Sequence, residues 1–204
     1  MPAKVSVLFN GFSELNESKT VMRANGTSTL VQSQSFNIIV DTMTPWDKDI
    51  LLKTLFDKHN LAPENITHVI CTHGHSDHVG NNNLFTNALL VFGQSVSKGT
   101  EYDLTAFKNG KFVINDEVEI FSTPGHTLDS ISVKVVSDQG IVVIAGDLFE
   151  REEDLVDEKL WKDIAGSEDP KLQKENRENI LKVADFIIPG HGPIFTVPRN
   201  RNMS

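Results

Sequence analysis

Residues 72–80 read THGHSDHVG, which places three histidines and one aspartate within six positions. Imidazole and carboxylate groups are common ligands of divalent metal ions in proteins. The glycine between the first two histidines lets the backbone turn tightly enough to aim neighbouring side chains inward. A chance cluster on a solvated turn is the alternative interpretation, and the rest of the chain decides between the two.

Four apolar segments of the chain end in residues that can bind a metal. The predicted strand ITHVICT (66–72) leads into HGHSDH, and three later segments, EVEIFSTPG, GIVVIAG and DFIIPG, are each followed by one histidine or aspartate. Binding sites are often built from loops beyond strand ends, so we expect these side chains to meet in one cleft. The candidate ligands are His73, His75, Asp77, His78, His126, Asp147 and His191.

Seven candidate ligands exceed the needs of one metal ion. A zinc ion takes four ligands, or three and a water in a catalytic site, so the set fits two ions that share a bridging carboxylate. Two ions about 3.5–4 Å apart can activate a shared water and bind an attacked ester or phosphate. Because imidazole and carboxylate groups occur here without a thiolate, we expect two Zn²⁺ ions, with Fe²⁺ or Mn²⁺ as alternatives.

The composition indicates an ordinary globular protein. With 204 residues and 39% hydrophobic content, the chain has room for a substantial core, and we expect a single domain over residues 1–204. The net charge is −9, and the segment 147–169 carries most of it, with ten Asp or Glu and three Lys or Arg. The sequence has no basic stripe, which weakens the case for a nucleic-acid partner.

The cysteine content and the start of the chain indicate the compartment. Cys71 is the one cysteine, so no intrachain disulfide can form, and the protein suits a reducing compartment. The initial residues MPAKVSVLFNGF lack the features of a secretory signal, and no stretch approaches the roughly 18 apolar residues of a membrane span. We therefore expect a cytoplasmic protein, with the nucleus as a second compartment, no membrane partner, and a homodimer as one option for self-association.

The patterns of apolar and turn residues outline the fold. Many strands with few helices favour two sheets over one parallel sheet. Residues 94–110 are expected to form a polar loop. We expect helices over residues 44–59, 154–164 and 169–184. The predicted strands are 5–9, 27–33, 36–42, 66–72, 88–93, 112–115, 117–124, 130–137, 140–147, 185–192 and 194–197.

Several other conspicuous residues have plainer interpretations. His59 and His68 are expected to be ordinary surface or core histidines, and Cys71 a buried, inert thiol. The acidic segment is expected to be a solvated amphipathic helix anchored by Trp161. Arg199 and Arg201 are expected to belong to a terminal tail, and no functional role is assigned to them.

The ligand pattern resembles the metallo-β-lactamase superfamily, whose signature is H-x-H-x-D-H. Residues 73–78 match that signature at every position, and TPGHT, AGDLF and IPGHG match the later ligand segments. The resemblance covers nearly the whole chain in order. It implies an α/β fold, a four-layer αββα sandwich of two mixed β-sheets flanked by helices, with a two-metal cleft at one edge. It also implies which residues hold the first metal (His73, His75 and His126), the second metal (Asp77, His78 and His191) and both (Asp147).

The resemblance extends to one branch of that family. The segments GDLFER (146–151), SEDP (167–170) and VADFIIPGHGPIFTV (183–197), with the acidic insertion around Trp161, are similar to small animal proteins described as zinc endoribonucleases that act on histone pre-mRNA 3′ ends. This implies cleavage of RNA phosphodiester bonds by a metal-bridged hydroxide. In that reaction Asp77 is expected to be catalytic, as a ligand that also orients the nucleophile and carries its proton.

Three alternatives use the same residues. A glyoxalase II-like thioesterase or lactonase would act on a small acyl substrate, which suits the negative charge slightly better. A sulfur dioxygenase of the same superfamily would hold a single iron. A metal-binding protein without catalytic activity is the third. Two metals serve acyl and phosphoryl chemistry equally, so the ligand pattern does not rank these substrates.

Overall fold

The computed structural model of the chain describes residues 2–198, so Arg199 and Arg201 lie outside the described residues. The strands within that range are β1 (Lys4–Phe9), β2 (Phe12–Leu15), β3 (Met22–Asn25), β4 (Ser28–Ser33), β5 (Phe36–Val40), β6 (His68–Cys71), β7 (Leu89–Phe92), β8 (Ser95–Lys98), β9 (Glu101–Tyr102), β10 (Lys111–Asn115), β11 (Val118–Ser122), β12 (Ile131–Ser137), β13 (Gly140–Gly146), β14 (Phe186–Pro189) and β15 (Phe195–Thr196). The α-helices are α1 (Lys48–His59), α2 (Ser76–Val79) and α3 (Pro170–Val183). Short 3₁₀ turns occur at Pro45–Asp47, Pro63–Asn65, Asn82–Leu84 and Glu152–Leu155, and a π-helical turn at Leu160–Ile164. Over residues 2–198, none of the helices has the length and apolar character that a membrane span requires.

The strands form two large sheets and one separate hairpin. The first sheet has seven strands in the order β1-β4-β5-β6-β7-β8-β9, and the second has six in the order β10 to β15. Both sheets are mixed, because β5, β6 and β7 run parallel, as do β13 and β14, whereas the other neighbours are antiparallel. The hairpin consists of β2 and β3.

Helices cover the outer faces of both sheets. The core between the sheets includes Ile38 and Ile70 of the first and Val133 of the second, all fully or almost fully buried. Leu51 and Leu55 of α1 pack on the outer face of the first sheet, and α3 packs on the outer face of the second. Burial of this kind contributes about 25 cal/mol per Å² of apolar surface. The predicted αββα sandwich of two mixed sheets is therefore confirmed.

The sheet directions bring several strand ends to one edge of the molecule. Strand β13 is parallel to β14, and β11 runs in the same direction as β13 because both are antiparallel to β12. The carboxyl ends of these three strands therefore lie along one edge of the second sheet. The first sheet meets them there, since Ile131 N–H donates to the Thr72 carbonyl, at 2.8 Å, just beyond β6.

Two parts of the expected outline are wrong in detail. Residues 94–110 were expected to be a loop but contain β8 and β9, which extend the edge of the first sheet through a turn at Gly99. The β2–β3 hairpin was not predicted, because its strands have only four residues each and mix apolar with polar side chains. The hairpin contacts residues that are distant in sequence, for example through the hydrogen bond of 3.0 Å that Arg151 donates to the Ser13 carbonyl.

The acidic segment also differs from its expected form. Instead of a continuous helix over 154–164 it forms a 3₁₀ turn and a π-helical turn, separated by non-helical residues. Trp161 is buried with 2% of its surface exposed, which confirms it as an anchor. Its ring lies 5.0 Å from the Arg177 guanidinium of α3. The segment thus forms two turns instead of a straight amphipathic helix, and the second turn places Trp161 against Arg177.

Candidate metal centre

The seven side chains that the sequence singles out lie together in one cluster. His73 and His75 follow β6 of the first sheet on the turn that leads into α2, and Asp77 and His78 lie within α2. The other three members follow β11, β13 and β14 of the second sheet, and are His126, Asp147 and His191. The cluster therefore bridges the two sheets, whereas the ligand roles of its members stay a prediction.

Asp147 lies at the centre of the cluster. Its Oδ1 atom is 3.2 Å from His78 Nε2. Its Oδ2 atom is 3.1 Å from the Nε2 atom of His191, 3.4 Å from that of His126 and 3.6 Å from that of His73. The carboxylate thus faces imidazoles from both sheets, which is the position that a bridging ligand requires.

The donor atoms separate into two groups. In each group, one donor atom from every member lies within 4.8 Å of the others. Within the first, His75 Nδ1 is 2.9 Å from His73 Nε2 and 3.1 Å from His126 Nε2. The groups are His73, His75, His126 and Asp147, and Asp77, His78 and His191. This cluster fits a dinuclear metal site of the kind typical of the superfamily that the signature resembles.

Two buried atoms of the cluster have no hydrogen-bond partner among the described residues. They are His78 Nε2 and Asp147 Oδ1, which lie 3.2 Å apart as an ion pair without hydrogen-bond geometry. An unpaired buried polar atom costs about 1–3 kcal/mol, so it is uncommon in native proteins. A metal ion bound between the two sheets would satisfy both atoms. The residues present therefore fit divalent ions in chemistry and in placement.

In most of these imidazoles, the ring nitrogen that points away from the cluster lies within hydrogen-bond distance of another part of the protein. His126 Nδ1 donates to the Gly166 carbonyl at 2.9 Å, and His191 Nδ1 lies 3.1 Å from the carbonyl oxygens of both Phe12 and Asn25. A hydrogen bond at one ring nitrogen fixes the tautomer and turns the other nitrogen toward the cluster. The rings are thereby oriented before any ion binds.

Asp41 orients His78 and was missed by the sequence analysis. This residue follows β5, is 1% exposed and has a φ of 59°, a conformation that aspartate tolerates better than most residues. Its Oδ2 accepts from His78 Nδ1 at 2.8 Å and from the Thr72 hydroxyl at 2.7 Å, and its Oδ1 accepts from Thr72 N–H at 2.7 Å. The available signal was its place at the end of an apolar strand, like the other site residues.

Replacing Asp41 with Asn is expected to weaken metal binding about 10–100-fold, the usual effect of losing an outer partner of a ligating histidine. The amide keeps the size and the backbone tolerance of aspartate, but it cannot accept from all three donors as a carboxylate. Competition with a chromophoric chelator would measure the change. Asp49→Asn, on the exposed face of α1, is the matched control. Unchanged affinity in Asp41→Asn would show that Asp41 does not orient the site.

The imidazoles of the cluster differ in the direction in which their pKa is shifted. Burial, with the neighbouring His78, holds the pKa of His73 well below its ordinary value. Burial also acts to lower the pKa of His78, but the carboxylates of Asp147 and Asp41 outweigh it and raise that pKa well above the ordinary value. The pKa of His191 is raised to about 9, since Asp147 outweighs the effect of burial there as well. One carboxylate is therefore surrounded by imidazoles with a lowered pKa and by imidazoles with a raised pKa.

The residues given plainer interpretations lie outside the cluster. His68 is buried edge-on against the Phe36 ring, with 5.3 Å between ring centroids, as an ordinary core histidine. Cys71 is fully buried behind the first sheet, and burial, with the nearby Asp41, raises the pKa of its thiol to about 12. Its expected inertness is consistent with both facts. His59 lies at the end of α1.

A cavity of about 430 Å³ adjoins the cluster on the side of the β2–β3 hairpin. Glu150 connects the two, because it lines the cavity and lies beside Asp147 and His191. The cavity wall is mixed, with apolar side chains from the hairpin and from the acidic segment. Its other principal lining residues are Ser13, Leu15, Met22, Arg151 and Ile164. Glu150 is therefore the residue through which the cavity borders the cluster.

Comparison with known proteins gives consistent similarities. The family described as Metallo-beta-lactamase superfamily matches residues 22–91. Metallo-beta-lactamase domain-containing protein 1 of Xenopus laevis is 42% identical over 207 residues, which span 100% of this chain and 85% of that protein. A probable metallo-hydrolase of Methanocaldococcus jannaschii is 36% identical over 154 residues, which span 76% of this chain and 70% of that one. The crystal structure of B. thuringiensis AiiA with N-decanoyl-L-homoserine bound at the active site is similar with a TM-score of 0.68 and 20% identity, over 94% of each chain.

Proposed function

The chain belongs to the metallo-β-lactamase superfamily, and from that premise we propose that it is a two-metal hydrolase that cleaves RNA phosphodiester bonds. The cluster around Asp147 carries the proposal of a two-metal hydrolase, because its donor atoms fall into two groups that suit two ions. The RNA substrate is supported by the resemblance of residues 146–151, 167–170 and 183–197 to the endoribonuclease branch. Cytoplasmic or nuclear location and homodimer formation stay predictions.

The two groups of donor atoms support a division of the proposed ligands between two ions. His73, His75 and His126 would hold one ion, Asp77, His78 and His191 the other, and Asp147 both. Bound there, divalent ions would polarise the scissile phosphate, neutralise charge in the transition state and lower the pKa of water. Zn²⁺ is the proposed metal, with Fe²⁺ or Mn²⁺ as alternatives.

Asp77 is the proposed catalytic residue. Its side chain is 16% exposed, and its Oδ2 lies 3.9 Å from His78 Nε2 and 3.8 Å from His191 Nε2. The carboxylate therefore touches the cluster while remaining open to the cleft. From this position it can orient the attacking water, accept a proton from it and later deliver that proton to the leaving oxygen.

A hydrolase acting on small acyl substrates is the second candidate. The cavity beside the cluster is walled by apolar side chains, including Leu15, Met22, Leu160 and Ile164, which suit an acyl chain. Arg151, which also lines the cavity, suits a phosphate or carboxylate group through its guanidinium. The apolar wall is the observation that favours the acyl substrate, and the arginine is compatible with both.

The deciding experiment measures metal content and two activities on one sample. A 5′-labelled single-stranded RNA and an acyl-thioester are offered to the same preparation, with bound metals counted by mass spectrometry. We expect two zinc ions per chain and RNA cleavage. His75→Ala is expected to reduce cleavage by at least about 100-fold, since loss of even an outer partner of a metal ligand costs about 10–100-fold.

The matched control is His59→Ala, which removes an imidazole at the end of α1, away from the cluster. It should leave metal content and cleavage unchanged. Two zinc ions with thioester turnover and no RNA cleavage would replace the nuclease with the acyl hydrolase. A single iron per chain would contradict both candidates.

A further inference from the structure

Glu150 lies at the metal centre without belonging to the seven-residue pattern. It follows Asp147 by three residues in the turn after β13, and only 3% of its surface is exposed. One of its carboxyl oxygens lies within 4.8 Å of donor atoms of both Asp147 and His191. A carboxylate at that distance from two proposed ligands can reach an ion that they share.

The carboxyl group of Glu150 is only half satisfied by the protein. Its Oε2 accepts from the Ser13 hydroxyl at 3.3 Å, and its buried Oε1 has no hydrogen-bond partner among the described residues. Burial of an unpaired carboxylate is costly unless it is paired with a cation or coordinates a metal.

The backbone holds Glu150 in place on both sides. Glu150 N–H donates to Asp154 Oδ2 at 2.7 Å, and His191 N–H donates to the Glu150 carbonyl at 2.8 Å. The residue is thus tied to the strand end that carries one of the proposed ligands. The fold thus fixes the backbone of Glu150 beside the cluster.

We propose that Glu150 is an additional ligand of the metal centre and binds the ion held by His191 and Asp147. The inference rests on the two-metal site of the proposed function and extends its ligand set. The second ion would then have three carboxylates, from Asp77, Asp147 and Glu150, besides the imidazoles of His78 and His191. Five protein donors exceed a tetrahedral zinc site and suit ions of higher coordination number. The second position would then accept a five-coordinate Zn²⁺ ion and would also suit Mn²⁺ or Fe²⁺, the alternatives to zinc.

Glu150→Gln tests this assignment because it keeps the shape and removes the charge. Each protein is stripped of metal and titrated with Zn²⁺ and, separately, with Mn²⁺ against a chromophoric chelator. We expect the wild type to bind two ions. The variant should keep the first and bind the second at least about 10-fold more weakly, with the larger loss for Mn²⁺. Glu153→Gln, the same change at an exposed position three residues on, is the control.

Thermal melting separates a ligand from a residue that only supports the fold. If Glu150 serves only to bond Ser13, the metal-free variant melts at a lower temperature than the metal-free wild type. As a ligand, Glu150 should instead leave the metal-free melting temperature unchanged or higher in the variant, with a smaller rise on adding metal. Glu150→Asp, which keeps the charge but shortens the side chain, should also weaken the second ion and serves if Glu150→Gln does not fold.

The outcomes for this inference and for the proposed function are distinct. A wild type that binds fewer than two ions would contradict the two-metal function, and the inference with it. A wild type with two ions and a Glu150→Gln variant with the same two affinities would contradict the inference alone.

Discussion

Asp147→Ala is expected to lose metal from both positions and to lose hydrolytic activity by about 1,000-fold or more. Its carboxylate faces imidazoles from both sheets at 3.1–3.6 Å, so its loss removes a donor from each proposed ion at once. A loss of 1,000-fold corresponds to about 4 kcal/mol of transition-state stabilisation, which is within the several kcal/mol that bound metals supply.

Metal content per chain and the rate of hydrolysis, measured on the same preparation, check this result. The matched control is Asp163→Asn, an exposed acid of the π-helical turn that has no place in the cluster. Circular dichroism shows whether the Asp147 variant is folded. A folded variant that still carries two ions would show that Asp147 does not bridge them.

Arg177→Met is expected to lower the free energy of unfolding by about 3–5 kcal/mol, the usual effect of removing one partner of a buried ion pair. The guanidinium donates to both carboxylate oxygens of Asp154, at 2.7 and 3.1 Å, and to the Leu148 carbonyl at 2.7 Å. It also lies over the rings of Phe149 and Trp161, at 4.1 and 5.0 Å. Methionine keeps some of the packing but leaves the Asp154 carboxylate buried without its counter-charge.

Chemical denaturation of the metal-free proteins measures this loss directly. Lys171→Met, at an exposed position near the start of the same helix, is the control and should change stability by no more than about 0.5 kcal/mol. If Arg177→Met were as stable as the control, the ion pair would contribute nothing and the acidic segment would have to be held by Trp161 alone.

The sequence was informative where function and local pattern coincide. Strands β6, β13 and β14 are apolar, and each is followed within two residues by a candidate ligand, so both the strand and the site residue beyond it could be predicted. The same reasoning predicted α3, whose Asp169 side chain accepts from Leu172 N–H at 2.9 Å and whose first position is Pro170. Local signals suffice for features of this kind because the deciding interactions lie within a few residues.

Long-range interactions decide the features that were missed. Asp41 follows an apolar strand as several proposed ligands do, but it contacts His78 through a hydrogen bond that no spacing in the sequence reveals. Glu150 is one of ten acids in its segment, and its burial depends on His191 and Ser13. The hairpin of β2 and β3 and the turns around Trp161 depend on arginines far along the chain. Such partners become neighbours only after the two sheets have packed.

The position of the cluster between the two sheets has a consequence for chain topology. His73 and His191 are more than a hundred residues apart in sequence, yet both face Asp147. Two metal ions coordinated there would cross-link the two halves of the polypeptide, as a disulfide does in secreted proteins. The single cysteine of this chain cannot form an intrachain disulfide. Closing a loop of that length restricts the unfolded chain more than closing a short one. The free energy of unfolding would then rise with the concentration of free metal and fall when a chelator removes the ions.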